Sequence, residues 1–449
     1  MKKLNLITKS LLLTLGAGIS FYANAEWIIN EKEISDGNWS FVYEITDEKI
    51  KLTSYKSGAD VLDLSSICKD TDTSGLILGD SLLYGNQTIT TVVFPSEPIQ
   101  VLRRAFRESS LSGDLASDSP IELLSNDPFA MTKITSVSFP NIYGKIPVWS
   151  FYGCSNLTSV VLSKDITSIS GTSFSECVQL ESFSPTEFPE VTQIDGAPFK
   201  NCKKLQVTRF SFPKVESIPG ECFHSLQIKE LYLPMCSSIG ESAFYNSSAT
   251  NITLGPVVTN IGNYAFGVAK VENLGTTKYS IPTIPSGLFN QAKSLKGVLD
   301  FSKSTFTSIP GEVFCQMSAL EKLILPETLS SLTRNSISKL GKCEIVFLGA
   351  KPSYDTTEIF WPSSNNFKNR LSFVITEKHI NSWTNAVNDI VFTPLKDVPD
   401  AEKTDTYYFP KSDESRVIGL ISTTSLKYDI PVTSWLSVLN EVGTIIVIR

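Results

Sequence analysis

The stretch that decides the fold is FYGCSNLTSVVLSKDITSISGTSFSEC, residues 151–177. It begins and ends with Phe-x-x-Cys, and this phrase returns at Phe199 and Cys202. The Phe recurs every 21 to 25 residues along most of the chain. A period of this length is typical of a solenoid, in which similar units stack on one another. We call the recurring positions the anchor residues: Phe106, Phe129, Phe151, Phe174, Phe199, Phe223, Phe244, Phe266, Phe289, Phe314 and, in the next place, Ile337.

Two short apolar patches lie between successive anchor residues. In residues 157–162 apolar and polar side chains alternate, which predicts a strand with one buried and one exposed face. The second patch, residues 166–169, predicts a short extended or turn segment, and a turn or helix start follows before the next anchor residue. One unit cannot bury this many apolar side chains alone, so we expect each unit to cover the next.

The strand positions that point away from the predicted core form an exposed sheet face. We interpret this face as the candidate binding surface, because a solenoid presents it as one extended area. Its residues are mostly small and polar, and it lacks the aromatic stripe that often marks a binding surface. The candidate residues are Ser136, Ser138, Ser159, Val161, Ser182, Glu230, Tyr232, Asn251, Thr253, Lys322 and Ile324.

Several units resemble the BspA-like bacterial leucine-rich repeats. The pattern of that family is a Leu-x-x-Val-x-Leu-Pro strand, an Ile-x-x-Ile-Gly step and an Ala-Phe-x-x-Cys close. The units that carry it include ITSVSFPNIYGKIPVWSFYGCSN, LTSVVLSKDITSISGTSFSECVQ and IKELYLPMCSSIGESAFYNSSA. The resemblance covers about residues 90–348, although LESFSPTEFPEVTQIDGAPF is longer than the pattern and LKGVLDFSKSTFTSIPGEVF is irregular.

The resemblance implies a β-rich leucine-rich repeat solenoid. Such a solenoid is a right-handed, curved stack of short parallel strands with turn or short-helix connections, capped at both ends. The resemblance also implies a bacterial protein that is secreted or exposed on the cell surface. Members of that family are associated with adhesion and protein binding rather than with catalysis.

The chain divides into six predicted segments. Residues 1–25 resemble a signal peptide, because Lys2, Lys3 and Lys9 precede an apolar stretch and residues 23–25 read Ala-Asn-Ala, a cleavage site. The apolar stretch is short for a membrane span, although a retained anchor helix is the alternative. The other segments are an N-terminal β-hairpin cap at 26–66, the repeat solenoid at 67–348, a C-terminal cap at 349–394, a linker at 395–405, and a small β module or an attachment or sorting segment at 406–449.

The balance of charge limits the class of partner. The formal net charge is −7, and loss of Lys2, Lys3 and Lys9 with the signal peptide makes it −10. An acidic exported chain argues against nucleic acid or anionic lipid as the main ligand. We therefore expect a protein or a host surface as the partner, no cofactor, and no membrane span in the mature chain.

The sequence offers little catalytic or metal-binding chemistry. The two His residues, His224 and His379, lie in different segments, and neither has a nucleophile motif nearby. Neither C-x-x-C nor H-x-x-x-H, two patterns of zinc ligands, occurs. We therefore predict a binding protein that is not an enzyme. The alternatives are a structural spacer that presents the C-terminal module and an enzyme whose active site lies within residues 406–449.

Eight Cys residues are an even number in a chain predicted to be exported, so disulfides must be considered. Cys154, Cys177 and Cys202 each lie three residues after an anchor residue, which predicts a column of buried thiols. Neighbours in such a column lie about one strand spacing apart, so a strained disulfide is the alternative.

Export with cleavage after Ala25 predicts a mature chain that begins at Glu26. Intact mass or N-terminal sequencing of the protein recovered outside the cell should show that the first 25 residues are missing. Recovery of a chain that still carries Lys2 would contradict cleavage and favour the retained anchor helix.

Overall fold

The computed structural model describes residues 26–275, 277–341, 343–350 and 352–354, followed by the strands at 372–376, 391–394, 418–423, 432–439 and 444–448. The predicted signal peptide, the predicted linker and His379 lie outside the described residues.

Four strands precede the repeats. They are β1 (Ile28–Ile29), β2 (Glu33–Ser35), β3 (Ser40–Thr46) and β4 (Lys49–Ser57). These strands pair antiparallel in chain order, and β4 pairs in parallel with the first strand of the long repeat sheet. The rings of Trp39 and Phe41 are fully buried and stack with centroids 5.7 Å apart. The antiparallel strands therefore cover the apolar end of the stack and its strand edge.

The first half of the repeats forms two rows of parallel strands. The strands are β5 (Val61–Asp63), β6 (Gly75–Leu78), β7 (Thr91–Val93), β8 (Ile99–Val101), β9 (Ser112–Ala116), β10 (Ile121–Leu123), β11 (Lys133–Phe139), β12 (Ile142–Ile146), β13 (Ser159–Leu162), β14 (Ile166–Ile169), β15 (Ser182–Ser184) and β16 (Gln193–Ile194). The second-patch strands extend the four cap strands into a 10-stranded sheet; they are β6, β8, β10, β12, β14 and β16. The first-patch strands β9, β11, β13 and β15 form a 4-stranded sheet. Between β5 and β6 lies α1 (Ile67–Asp70), the one α-helix among the described residues.

The second half keeps the parallel arrangement of its repeat strands, which are divided among several sheets. Its strands are β17 (Gln206–Ser211), β18 (Ser217–Ile218), β19 (Gln227–Tyr232), β20 (Ser238–Ile239), β21 (Asn251–Thr253), β22 (Val257–Val258), β23 (Asn260–Ile261), β24 (Lys278–Tyr279), β25 (Val298–Asp300), β26 (Ser308–Ile309), β27 (Lys322–Leu325), β28 (Ser331–Leu332), β29 (Glu344–Phe347) and β30 (Ser353–Tyr354). Strands β17, β19 and β21 form one sheet, β18, β20 and β23 a second, and β22, β24, β25, β27 and β29 belong to a third.

Strands from the predicted C-terminal cap and from residues 406–449 join that third sheet. They are β31 (Ser372–Thr376), β32 (Val391–Pro394), β33 (Ile418–Thr423), β34 (Val432–Leu439) and β35 (Thr444–Ile448). Strand β31 pairs in parallel with β29 and antiparallel with β35, and β34, β33 and β32 follow antiparallel. Strands from the predicted cap and from residues 406–449 therefore share one sheet with the last repeats.

The anchor residues form a buried column of stacked rings. The centroids of Phe129 and Phe151 are 5.5 Å apart and those of Phe151 and Phe174 are 5.3 Å apart, with ring planes within 10°. Farther along, the rings of Phe244 and Phe266 stack at 5.1 Å. All of these rings are fully buried. The structure therefore confirms both the predicted repeat register and the leucine-rich repeat solenoid.

The chain makes a tight turn around each anchor residue, and these turns form a third ladder of hydrogen bonds. The residues two before and two after Phe151, Trp149 and Gly153, have positive φ angles of 60° and 68°. The backbone N–H of Phe151 donates to the carbonyl oxygen of Ser173 at 2.8 Å, and that of Gly153 donates to Ser175 at 3.0 Å. The repeats that contain Phe151 and Phe174 are therefore bonded on three sides, two with strands and one with turns.

All eight Cys residues are buried and free, so the structure confirms thiols rather than disulfides. In the predicted column, the Sγ atoms of Cys154 and Cys177 each donate to the backbone carbonyl of an anchor residue one repeat earlier, both at 3.2 Å. Cys202 does the same at 3.1 Å. Burial raises the pKa of the Cys154 thiol to about 11 and that of Cys202 to about 12.

Replacing Phe151 with Ala should lower the free energy of unfolding by about 3–5 kcal/mol, because it leaves a cavity between close-packed rings. The control Val161→Ala, on the exposed sheet face, should cost less than about 1 kcal/mol. Urea unfolding followed by circular dichroism measures both. Equal effects of the two variants would show that Phe151 is not a structural anchor.

The thiols should be inert in the folded protein. Because burial raises the pKa of Cys154 from 9.0 to about 11, its thiolate fraction at pH 8 should be roughly 100-fold below that of a free thiol. Between pH 9.0 and about 11 the unfolded chain loses this proton and the folded chain keeps it, so stability should fall as pH rises through that window. A thiol reagent should react with all eight thiols in protein that is denatured without reductant, and not in the folded protein. Fewer than eight reactive thiols after denaturation would demonstrate disulfides.

Candidate binding surfaces

The predicted sheet face lies on the outer side of the first-patch strands. Backbone pairing of β11, β13 and β15 aligns Ser136, Ser159 and Ser182 in one column. Ser138 and Val161 align in the next column, and Val161 is 38% exposed. This part of the face is polar and made of small residues, apart from Val161.

A second group of predicted residues lies on β19 and β21. Glu230 pairs with Asn251, and Tyr232 pairs with Thr253. The guanidinium carbon of Arg209, on the neighbouring strand β17, lies 5.1 Å from the centre of the Tyr232 ring. This cation–π contact holds the Tyr232 ring against the neighbouring strand. With Glu230 and Arg209, this part of the face is more varied in charge than the first group.

The remaining predicted residues, Lys322 and Ile324, lie on β27. Lys322 Nζ is 2.5 Å from Glu344 Oε1 on β29. The predicted residues therefore lie in three groups, on strands of three different hydrogen-bonded sheets.

A second candidate surface lies on the anchor turns and was not predicted. The rings of Trp149 and Tyr152, which flank Phe151, have centroids 6.1 Å apart. Met131, on the preceding turn, donates its backbone N–H to the carbonyl of Tyr152 at 2.7 Å. Trp149 is 43% exposed and Met131 47% exposed. With Arg107, whose guanidinium carbon lies 6.0 Å from the centre of the Trp149 ring, these side chains form what we call the turn patch.

Carboxylates fix the orientation of Arg107. Its Nη1 atom lies 2.5 Å from Asp127 Oδ2, and its Nε atom lies 3.0 Å from Glu108 Oε1. Asp127 is buried and also accepts a hydrogen bond from Arg104 at 3.1 Å. Burial opposes the charged form of Arg107, but the hydrogen bonds to Asp127 and Glu108 outweigh it and raise the pKa. The two arginines and two carboxylates balance in charge and hold the guanidinium beside Trp149.

A second aromatic group lies on later turns. His224 stacks on Tyr245 with ring centroids 5.4 Å apart, and Tyr245 meets Tyr264 edge-on at 6.4 Å. His224 follows the anchor residue Phe223 on a turn, where the sequence predicts it. Tyr264 is 37% exposed. Aromatic side chains therefore occur at two places on the turn side of the stack.

A sequence signal for both groups exists in the positions around the anchor residues. Trp149 and Tyr264 stand two residues before an anchor, whereas Tyr152 and Tyr245 stand one residue after an anchor. Both positions lie on the outside of the turn. Once the conformation of the turn is known, the spacing of aromatic residues from the anchors identifies both groups in the sequence.

The described residues contain no group of three or more His, Cys, Asp or Glu side chains arranged to hold a metal ion. None of the described helices is long and apolar enough to cross a bilayer. The raised pKa values of the buried thiols make them poorer nucleophiles.

Three solved structures are similar to this chain. A leucine-rich repeat protein from Bacteroides ovatus is 14% identical, with 73% of this chain and 100% of that chain covered and a TM-score of 0.39. A leucine-rich cell surface protein from Faecalibacterium prausnitzii is 14% identical, with coverage of 71% and 95% and a TM-score of 0.25. The pneumococcal vaccine antigen PcpA is 14% identical, with coverage of 79% and 96% and a TM-score of 0.38. No curated protein matches the chain.

The family model of the BspA-type leucine-rich repeat region matches residues 77–206 and 216–346, with six copies of the repeat. The matched residues make up more than half of the chain and contain the anchor column and most of the parallel strands. This protein therefore belongs to the BspA-type leucine-rich repeat family.

Proposed function

We propose that this protein is exported and binds a protein partner outside the cell, in an adhesion-type role and without catalysing a reaction. The proposal is supported by family membership, by the signal-type start of the sequence and by the acidic charge of −7. The rigid stack offers a long surface whose exposed side chains can vary without disturbing the core.

The observation that carries the proposal is the composition of the turn patch. Trp, Tyr, Met and Arg are the residue types enriched at the energetic centres of protein interfaces. In the turn patch they are adjacent, and Trp149 and Met131 are strongly exposed. The core does not require them there, because their side chains lie outside the anchor column.

Backbone conformation strengthens this argument at Trp149. The turn requires a positive φ at this position, and the equivalent residues Thr172 and Ser242 have φ angles of 52° and 54°. A bulky residue in this conformation costs about 1–2 kcal/mol. Since Trp149 remains 43% exposed at this cost, its place is better explained by contact with a partner.

The predicted sheet face is proposed as the second contact surface. The column of Ser136, Ser159 and Ser182 is flat and polar, which suits the rim of an interface more than its centre. In this arrangement the turn patch supplies most of the binding energy and the sheet face supplies specificity.

A structural spacer is the second candidate function. The observation that favours it is the three-sided hydrogen bonding between most adjacent repeats, which makes a stiff body. A spacer would keep its function when its surface residues are replaced, whereas a binding protein would lose affinity when the turn patch is replaced. Substitution of the turn patch therefore distinguishes the two candidate functions.

Replacing Met131, Trp149 and Tyr152 together with Ser should weaken binding by at least about 30-fold, the loss typical of an interface centre. The measurement is surface plasmon resonance with immobilised residues 26–449 against a panel of purified host-surface and extracellular-matrix proteins. The matched variant Ser136→Arg, Ser159→Arg and Ser182→Arg should weaken binding less than the turn-patch variant. Thermal melting checks that both variants fold.

Two outcomes would overturn parts of this proposal. If the panel protein binds the turn-patch variant as tightly as the original chain, the turn patch is not the centre of the interface. If no protein of the panel binds the original chain at all, the spacer role is favoured over adhesion.

A further inference from the structure

At one boundary between the described repeats, backbone hydrogen bonds do not join the turns, and the strands on both other sides belong to separate sheets. This boundary separates residues 180–202 from residues 203–225, and we call it the joint. Strand β16 ends the 10-stranded sheet, and β18 begins a separate 3-stranded sheet, so no ladder joins these second-patch strands. An open cleft of about 600 Å³ lies there, lined by residues that include Asp195 and Lys214.

The sequence explains part of this break. In the following repeat, Gly240 donates its backbone N–H to the carbonyl of Ile218 at 2.7 Å. The residue equivalent to Gly240 at the joint is Pro219, which has no N–H to donate. Proline alone does not end the sheet. Its missing N–H removes one of the few hydrogen bonds that the two-residue strands β16 and β18 could form with each other.

The ladder of turns is also interrupted at the joint. Elsewhere the N–H of the anchor residue donates to the next turn, as Phe174 does to Pro198 at 2.9 Å and Phe223 to Ala243 at 2.8 Å. Among the described residues, no backbone hydrogen bond joins the turn of Phe199 to the turn of Phe223.

Aromatic packing replaces the missing bonds inside the joint. The rings of Phe199 and Phe223 do not stack. Between them lie the rings of Phe210 and Phe212, which stand at the first-patch positions that Leu231 and Leu233 occupy in the next repeat. Phe199 lies 5.4 Å from Phe210, Phe210 lies 5.8 Å from Phe212, and Phe212 lies 6.3 Å from Phe223. The family match stops at residue 206 and resumes at residue 216, so both rings fall in the gap between its two parts.

On the first-patch side, β15 and β17 also belong to separate sheets. Three backbone hydrogen bonds still cross the joint there. They run from Gln206 to Glu181 at 3.1 Å, from Phe188 to Ser211 at 2.9 Å, and from Ser211 to Thr186 at 2.9 Å. The joint is therefore weakly bonded on this side and lacks backbone bonds on the other two.

Three ion pairs span the joint, one on each side of the stack. Lys200 pairs with Glu221 beside the turns, Lys204 lies 3.8 Å from Glu181 on the first-patch side, and Lys214 lies 2.7 Å from Glu190 on the second-patch side. Their side chains are 35% to 61% exposed. Exposed ion pairs of this kind are individually weak and are screened by salt.

We propose that the joint is a hinge between two rigid stacks, which the three Lys–Glu pairs close at low ionic strength. Aromatic packing keeps the stacks together when the hinge opens, because apolar contact has no fixed direction. Opening changes the angle between the sheet-face groups on β11, β13 and β15 and those on β19 and β21. The hinge therefore makes the fit of a partner that touches both stacks depend on salt.

Hydrogen exchange of the folded full-length protein tests the hinge. The amides of Phe188, Gln206 and Ser211, which donate across the joint, should exchange about tenfold faster in 0.5 M than in roughly 0.02 M sodium chloride, since salt screens three weak pairs. The amides of Phe151 and Phe244, which donate across ordinary boundaries, should change by less than about twofold. Equal protection at all five amides, or an equal salt effect, would falsify the hinge.

Reversing the charge of the three Lys residues provides an independent check, because it should reverse the direction in which salt changes the exchange rate. In the variant Lys200→Glu, Lys204→Glu and Lys214→Glu, like charges face each other, so the crossing amides should exchange faster at low salt and more slowly as salt is added. Adding Glu221→Lys, Glu181→Lys and Glu190→Lys should restore the original behaviour.

The matched control is the exposed pair of Lys296 and Glu272, 2.8 Å apart, at a boundary where a backbone bond also joins these two residues. Reversing both charges there should leave exchange unchanged. If the triple variant exchanges faster with added salt, like the original chain, the ion pairs do not close the joint.

Discussion

Burial of the anchor rings against the rings of neighbouring turns is the interaction on which the rest of the structure depends. A Phe side chain removes about 150–250 Å² from water, and a single repeat has no other surface against which to bury it. Stacking at 5.1 to 5.5 Å, as for Phe244 on Phe266 and Phe129 on Phe151, sets the spacing of the turns. That spacing matches the distance between neighbouring strands, so two sheets and a row of turns can bond in register at the same rise.

Periodicity was enough to predict the parts of the fold that depend on side-chain burial. The anchor residues and the thiol column of Cys154, Cys177 and Cys202 were predicted from spacing, as was a strand within residues 157–162, which the structure has at residues 159–162. The places where sheets end were not predictable, because they depend on backbone bonds between residues more than 20 positions apart. The turn patch was missed for a related reason. Without the positive φ at Trp149 there is no way to tell that this side chain points outward.

The regular boundaries and the joint illustrate two ways of holding neighbouring coils together. Regular boundaries combine directional backbone bonds with ring stacking, and they resist a change of angle. At the joint, Phe210 and Phe212 keep the apolar contact continuous while most of the directional bonds are lost. Aromatic residues at two first-patch positions therefore keep the core continuous at the one place where stiffness is lost.

The turn ladder also has a consequence for how such chains lengthen. Each turn offers the same donors and acceptors to the turn before it and the turn after it, as Phe151 does to Ser173 and Gly153 to Ser175. An in-frame duplication or deletion of one whole coil therefore leaves no buried backbone group unpaired. Gene segments that encode a single coil can be gained or lost with little effect on folding, and the reach of the molecule can change by single steps of about 4.8 Å.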